Sequence, residues 1–222
     1  MSPRVYAFIC WFMAIRVHVK GTPQNSANAV LFVPNHISYL DIVALGSILD
    51  ARFVAKSEVA GWPLFGLLSK IQNTVFIRRT RSALEGAMHE LAKILKSGIS
   101  LIVFAEGTST NGLAVKPFKP GLFDAVFEAG GGIMVQPVAL TIQSIDGKAP
   151  MGDGPTRNMY AWWRPEDTLV PHLWAFACSK GTDVAVNFLP VLSPQEYADR
   201  KALAAAAHRA VSQVVEAAAP LG

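Results

Sequence analysis

The chain has 222 residues, 51% of them hydrophobic and only 16% charged, and a formal net charge of +4. That is enough chain for one full core, and its charge content lies below the roughly 25% of an ordinary soluble domain, so its apolar and basic lean fits an anionic membrane surface or an anionic substrate. Two cysteines, Cys10 and Cys178, exclude a disulfide framework and a cysteine metal pair and fit a reducing compartment; without zinc-ligand spacing, a helix-turn-helix signal or a basic run, a nucleic-acid partner is excluded too.

An apolar run from Val5 to Ile15, bounded by Arg4 and Arg16, opens the chain. It is shorter than the ~20 residues that span a bilayer, and no small-x-small cleavage site follows it. Phe8, Trp11 and Phe12, with His18 and Lys20 beyond, suit a helix lying in a membrane interface, and a buried core helix fits the same pattern equally well. The expected organisation is an apolar membrane-contacting segment over 1–20 and a single α/β domain over 21–222, with a polar linker at 21–28.

Ala29 to Val33 reads as a buried strand stopped by Pro34. The stretch Asn35-His36-Ile37-Ser38-Tyr39-Leu40-Asp41 follows, with the Ser-x-x-Asp start signal of a helix: Ser38 at the cap, Asp41 at the third helical position. His36 then sits in the strand-to-helix turn, and Asp41 points back towards it. Two readings are open here. One is a histidine oriented by a carboxylate, the pattern of a general base. The other is a capping box beside an ordinary loop histidine.

Ile42 to Leu49 continues that helix. Arg52 to Ala55 reads as a short strand ending at Lys56, placed either to meet an anion or to lie in solvent. An apolar segment at 61–70 precedes a third strand, Thr74 to Ile77, which runs into Arg78-Arg79-Thr80-Arg81. Guanidinium forks match a phosphate bidentately, although such a cluster is usually a solvated turn. Ser82-x-x-Glu85 opens a helix with Leu84, Met88, Leu91 and Leu95 on one face, His89 towards solvent, and Gly98 closing it. A fourth strand, Ile99 to Phe104, leads into Ala105-Glu106-Gly107-Thr108-Ser109-Thr110-Asn111-Gly112. This is either a cradle of amides and hydroxyls for an oxyanion or a plain polar loop. It is not the Gly-x-Ser-x-Gly elbow of serine hydrolases, because Asn111 holds the last position.

A helix to about Glu128 ends at three glycines. A fifth strand, Ile133 to Ile142, carries Pro137, a residue expected at a strand edge or end. A loop at 146–156 precedes an aromatic stretch containing Tyr160, Trp162, Trp163 and Trp174, which suits packing or a membrane interface. Val184 to Leu192 is a sixth strand, and an Ala-rich helix capped from Ser193, with His208 on its surface, completes the chain.

This alternation predicts an α/β fold: a mostly parallel central sheet of about six or seven strands flanked by helices, with the N-terminal apolar segment outside it. In such sheets ligands bind beyond the carboxyl ends of the strands. His36 with Asp41, Lys56, Arg79, and Glu106 to Thr108 each follow a strand directly. Parallel strands would bring all four groups to one edge.

Asn35-His36-x4-Asp41, Val75-Phe76-Ile77-x-Arg79, Phe104-x-Glu106-Gly107-Thr108 and Val135-x-Pro137-Val138, in that order, resemble the motif series of the glycerolipid acyltransferases, the lysophosphatidic acid acyltransferase type. The resemblance covers about Val30 to Leu140. It implies direct transfer of a fatty acyl group from an acyl thioester to a lysolipid hydroxyl, with acyl-CoA or acyl carrier protein as co-substrate. No metal, bound cofactor or covalent acyl-enzyme is implied. His36 is then the base, oriented by Asp41; Arg79, Glu106, Gly107 and Thr108 are linked to acceptor binding; and Lys56 matches a basic position between the first two motifs. The acceptor implied first is 1-acyl-sn-glycerol-3-phosphate, giving phosphatidic acid. The short apolar segment from Val5 to Ile15 with its basic flanks adds the expectation of a peripheral or monotopic protein on the cytoplasmic face of a bacterial inner membrane.

The family's third motif usually reads Phe-Pro-Glu-Gly-Thr-Arg. Here Ala105 replaces the proline and Ser109 the arginine, which removes a phosphate-pairing fork, and Asn73 stands where a glycine is common. Residues 53–63, with Phe104 to Ser109, look like the bacterial subgroup that includes lyso-ornithine lipid acyltransferases, so lyso-ornithine lipid is the alternative acceptor. Two readings of another class remain: a thioesterase or serine hydrolase using Ser109, which lacks the elbow, and a non-catalytic lipid-binding module, against which the intact His36 and Asp41 argue.

Overall fold

The strands are β1 (Ile15–Lys20), β2 (Val30–Pro34), β3 (Arg52–Lys56), β4 (Val75–Ile77), β5 (Leu101–Val103), β6 (Met134–Ile145) and β7 (Thr182–Phe188). In this computed structural model, which describes residues 2–25, 28–56, 74–77 and 81–219, with backbone alone for 56, 77 and 81–85, they form one sheet in the order β1-β7-β6-β2-β5-β3-β4. Every neighbouring pair is parallel except β6 and β7. The apolar segment at 61–70 and Asn73 lie outside the described residues. The helices are α1 (Pro3–Phe12), α2 (Leu40–Gly46), α3 (Arg81–Lys96), α4 (Asp124–Ala129), α5 (Pro155–Asn158), α6 (Leu169–Ala177) and α7 (Arg200–Ala218).

Strand β2 shows why both faces are covered. All five of its residues are buried, as expected of a strand inside a parallel sheet. Leu31 and Val33 join the core beneath α3, α4 and α7, with Leu91, Leu95, Phe123 and Val211. Val30 and Phe32 join the opposite core, beneath α1, α2 and α6, with Tyr6, Leu40, Leu45 and Phe176. The period of two in a strand sorts one continuous apolar run into two layers. Met88, Leu91 and Leu95 of α3 are buried as their helical spacing predicts, and Gly98 turns the chain at φ 83° beyond it.

Several features differ from what the sequence suggests. The helix over the first apolar run ends at Phe12, Ala14 turns at φ 53°, and Ile15–Lys20 enters the sheet as an edge strand beside β7. The alternation Ile15, Val17, Val19 against Arg16, His18, Lys20 is a strand pattern, and its charges suit an edge. Arg16 meets Asp183 of β7 through two contacts at 2.8 Å. Pro137 lies inside the sheet rather than at a strand end, paired with Val33 of β2. It is tolerated because the β7 ladder stops at Val138 and Phe188 and resumes only as a bridge between Val135 and Leu192, so the missing N–H falls at the break. Ser193 precedes only a short 3-10 turn at Pro194–Glu196; the cap of α7 is Asp199, whose carboxylate accepts from Lys201 N at 2.8 Å and Ala202 N at 2.9 Å. His208 is half-buried and donates through Nε2 to the Val115 carbonyl at 3.1 Å.

Helix α1 rests on α2 through Tyr6 and Cys10, both buried, and Gly46 makes the contact possible: a Cβ there would stand 2.7 Å from the Tyr6 ring. Gly46→Ala is therefore expected to destabilise the fold by about 1–3 kcal/mol, the usual cost of overpacking. The check is a urea titration, which should give a lower midpoint at an unchanged slope. A midpoint at or above that of the wild type would mean that the two helices do not meet this closely.

Candidate active site

The site begins where β2 ends. Pro34 does not stop the strand but is its last residue, in register with Val138 of β6, and Asn35 continues the ladder with a side chain. Its Oδ1 accepts from Leu140 N at 2.7 Å and its Nδ2 donates to the Leu140 carbonyl at 3.1 Å. The amide acts as one more peptide against β6, and the backbone leaves the sheet at His36.

Asp41 organises the turn that follows. The carboxylate is buried. Its Oδ2 accepts from Ile37 N at 2.6 Å, Ser38 N at 2.9 Å and His36 Nδ1 at 2.9 Å, and its Oδ1 accepts from the Tyr160 hydroxyl at 2.9 Å. Ser38 Oγ accepts from Leu40 N at 3.3 Å. The cap differs from the one the spacing suggests: α2 starts at Leu40 behind Tyr39, which makes no side-chain cap bond, and the Asp41 carboxylate instead holds the amides of the turn before the helix together with the histidine. Because a carboxylate only accepts, Nδ1 carries a proton, and in the neutral imidazole the lone pair is then on Nε2. Nε2 has no hydrogen-bond partner among the described residues, and the imidazole is 20% exposed. Phe104 stacks on the ring with centroids 4.0 Å apart, and Phe53 stacks on Phe104. The imidazole is fixed in plane and open on one nitrogen.

Strand β5 brings the second group. After Phe104 the chain turns through Gly107, whose φ of 72° suits glycine and whose N–H donates to the Phe104 carbonyl at 3.0 Å. The turn buries Glu106. Its Oε1 accepts from His36 N and its Oε2 from Lys116 N, both at 2.7 Å. Burial pushes this carboxyl up to about 7, against the downward pull of the Lys116 and His36 amides. Thr110 adds two bonds to the His36 carbonyl, from N at 2.9 Å and from Oγ1 at 3.3 Å. Gly107 is half-buried and Thr108 exposed. Glu106 therefore braces the histidine turn through its backbone.

Lys56 is the last residue of β3, which pairs with β5 on one side and β4 on the other. The side chain of Lys56 and the whole of Arg78 and Arg79 lie outside the described residues. What the sheet fixes is the edge: β2, β5, β3 and β4 are successive parallel neighbours, so their carboxyl ends lie side by side. Ser109 does not face His36 as a nucleophile would; its hydroxyl donates to the Trp162 carbonyl at 2.6 Å.

Some contributors carry no signal in the sequence. Tyr160 reaches Asp41 across 119 positions. Trp162 N donates to the Ile37 carbonyl at 3.1 Å. The Tyr39 hydroxyl donates to His172 Nδ1 at 2.9 Å while His172 Nε2 donates to the Asn158 carbonyl at 3.0 Å, and burial lowers the basicity of that imidazole. Arg157, buried, donates to the carbonyls of Gly152, Pro150 and Asn111. The aromatic richness of 160–174 was the available cue, and it suggested packing or a membrane interface.

A carboxylate-held histidine at the carboxyl edge of a parallel sheet is the arrangement of an α/β enzyme that can take a proton from an attacking hydroxyl. Residues 15–141 match the family model described as Acyltransferase. A lyso-ornithine lipid O-acyltransferase of Rhodobacter capsulatus is 35% identical over 213 residues, 95% of this chain and 74% of that protein. A 1-acyl-sn-glycerol-3-phosphate acyltransferase of Neisseria gonorrhoeae is 32% identical over 191 residues, 85% of this chain and 70% of that protein. The crystal structure of the 1-acyl-sn-glycerophosphate acyltransferase from Thermotoga maritima shares the fold, with a TM-score of 0.70 at 21% identity over 97% of this chain and 77% of that one. The chain belongs to the Acyltransferase family and is an acyltransferase.

The Glu106 brace has a pH signature. Its carboxyl titrates near 7 in the folded protein against an ordinary 4.5, so the folded state binds this proton more tightly than the unfolded one. The resulting stabilisation is fully present below 4.5 and is lost as the pH rises through 7, a change of up to about 3 kcal/mol. Unfolding free energies of the wild type, relative to Glu106→Gln, should decline from about pH 5 to about pH 8. A difference that stays level across that range overturns the assignment.

Proposed function

We propose that this chain moves a fatty acyl group from an acyl thioester, acyl-CoA or acyl carrier protein, to the free hydroxyl of a lysolipid. The observation that carries the reading is the 2.9 Å contact between His36 Nδ1 and the buried Asp41 inside the matched segment. His36 Nε2 takes the proton of the acceptor hydroxyl while its oxygen attacks the thioester carbonyl carbon. The C–S bond then breaks, and the leaving thiolate takes the proton back from the imidazolium, so the thiol and the ester are the only products. Phe104 and Asp41 keep the ring in plane throughout.

For the acceptor we favour lyso-ornithine lipid. The names of the Rhodobacter capsulatus relative and of relatives from Rhizobium meliloti and Brucella abortus support it. So does Ser109, which stands in place of a phosphate-pairing arginine and spends its hydroxyl on Trp162. The second acceptor is 1-acyl-sn-glycerol-3-phosphate, supported by the name of the Neisseria gonorrhoeae relative and by the retained Arg79. Acyl transfer measured with both donors and both acceptors tests the reading. His36→Ala should reduce the rate with the preferred pair about 100- to 10,000-fold, the usual worth of a positioned base. Asp41→Asn should lower the rate with lysolipid affinity nearly intact. Near-normal turnover by His36→Ala would sink the mechanism, and wild-type transfer to neither lysolipid would sink the function.

We also propose peripheral attachment to the cytoplasmic face of a bacterial inner membrane. Among the described residues no helix is long and apolar enough to cross a bilayer. Helix α1 buries Tyr6 and Cys10 yet leaves Phe8, Trp11 and Phe12 60–75% exposed, and α6 likewise shows Val170 and Trp174. Aromatics of this kind suit the headgroup level. Replacing Trp11 and Phe12 together by Ser should cut co-sedimentation with phosphatidylglycerol vesicles. Binding equal to that of the wild type would count against α1 as the docking element.

A further inference from the structure

Three of the four hydrogen bonds to Asp41 converge on Oδ2. Oδ1 has one donor among the described residues, the Tyr160 hydroxyl at 2.9 Å. Tyr160 is fully buried and meets Phe176 of α6 edge-on, with ring centroids 6.1 Å apart, so packing aims its hydroxyl. It lies beyond the 15–141 segment that matches the family model. Two residues later Trp162 accepts from Ser109 Oγ and donates to the Ile37 carbonyl. The 160–162 segment therefore grips both turns that build the site, and Tyr160 touches the one atom of the carboxylate that neither turn reaches.

We propose that Tyr160 is a positioning residue for acyl transfer, holding Asp41 Oδ1 so that Oδ2 presents a fixed plane to His36. The proposal rests on His36 acting as the base. A buried carboxylate oxygen with no donor keeps its full desolvation penalty, and the group turns to recover a partner. The O–H dipole also draws negative charge away from the side facing the imidazole. Without it the carboxylate holds the imidazolium more strongly, and a higher pH is needed to free Nε2. Among the described residues the other ionisable group facing His36 is Glu106, which reaches it through the His36 amide; the stacked Phe104 carries no charge.

Tyr160→Phe keeps the ring and the Phe176 contact and deletes one oxygen. We expect kcat to fall about 10- to 100-fold, the range for a hydrogen bond to a charged group, while KM for thioester and lysolipid stays within about twofold of the wild type. The acid limb of the pH–rate profile should move to higher pH. In an Asp41→Asn background the same substitution should cost little more, since Tyr160 acts through Asp41. An unmoved acid limb, or an equal loss in both backgrounds, overturns the proposal and assigns Tyr160 to packing alone. That outcome is separable from failure of the mechanism itself, which appears as turnover in His36→Ala.

Discussion

A carboxylate with no access to solvent sits where β2 gives way to α2, and four donors make that burial tolerable. Two are the amides of Ile37 and Ser38, which fix the path of the turn. One is His36, whose ring the carboxylate orients in return. The fourth is Tyr160, from the segment that follows β6 in the chain. Remove the carboxylate and the helix start, the tautomer of the histidine and the anchor of the 160–162 segment are all lost together. The bracing of the turn into α2 and the orientation of the histidine are here one set of hydrogen bonds.

The rest of the edge is arranged to keep that turn in place. Asn35 extends β2 by a side-chain amide, so that the turn starts from a fixed point on the sheet. Glu106 reaches across from β5 and spends both oxygens on backbone amides. The family resemblance links this residue to the acceptor; the geometry makes it the brace between two loops. Its burial lifts its carboxyl to about 7, so the brace is held against a desolvation cost near neutral pH. Sites that impose such costs are commonly functional ones.

The helix that exposes Phe8, Trp11 and Phe12 is also the one that lies on α2 through Tyr6 and Gly46. Asp41 stands in the first turn of α2. The proposed lipid-facing surface is therefore one helix away from the proposed base. A lysolipid delivered from a membrane would need no long passage through solvent, which agrees with the interfacial role proposed for α1.

Local chemistry was legible in the sequence wherever it lies within a few residues. The closeness of Asp41 to the His36 turn, the strand–turn–helix order, the α/β alternation and the convergence of groups at strand ends all follow from short-range spacing, because turns and strand periodicity are set by near neighbours, although the cap of α2 falls on Tyr39 rather than Ser38. The family likewise follows from four short motifs in order. Long-range contacts left no such trace. That β1 joins the sheet, that Pro137 fits an inner strand, and that Asp199 rather than Ser193 caps the last helix depend on which strands pair and where a ladder breaks. Tyr160 reads as one aromatic among several until the fold carries it 119 positions back to Asp41. A side chain's partner across such a distance is chosen by packing, and packing is decided only when the whole sheet has formed.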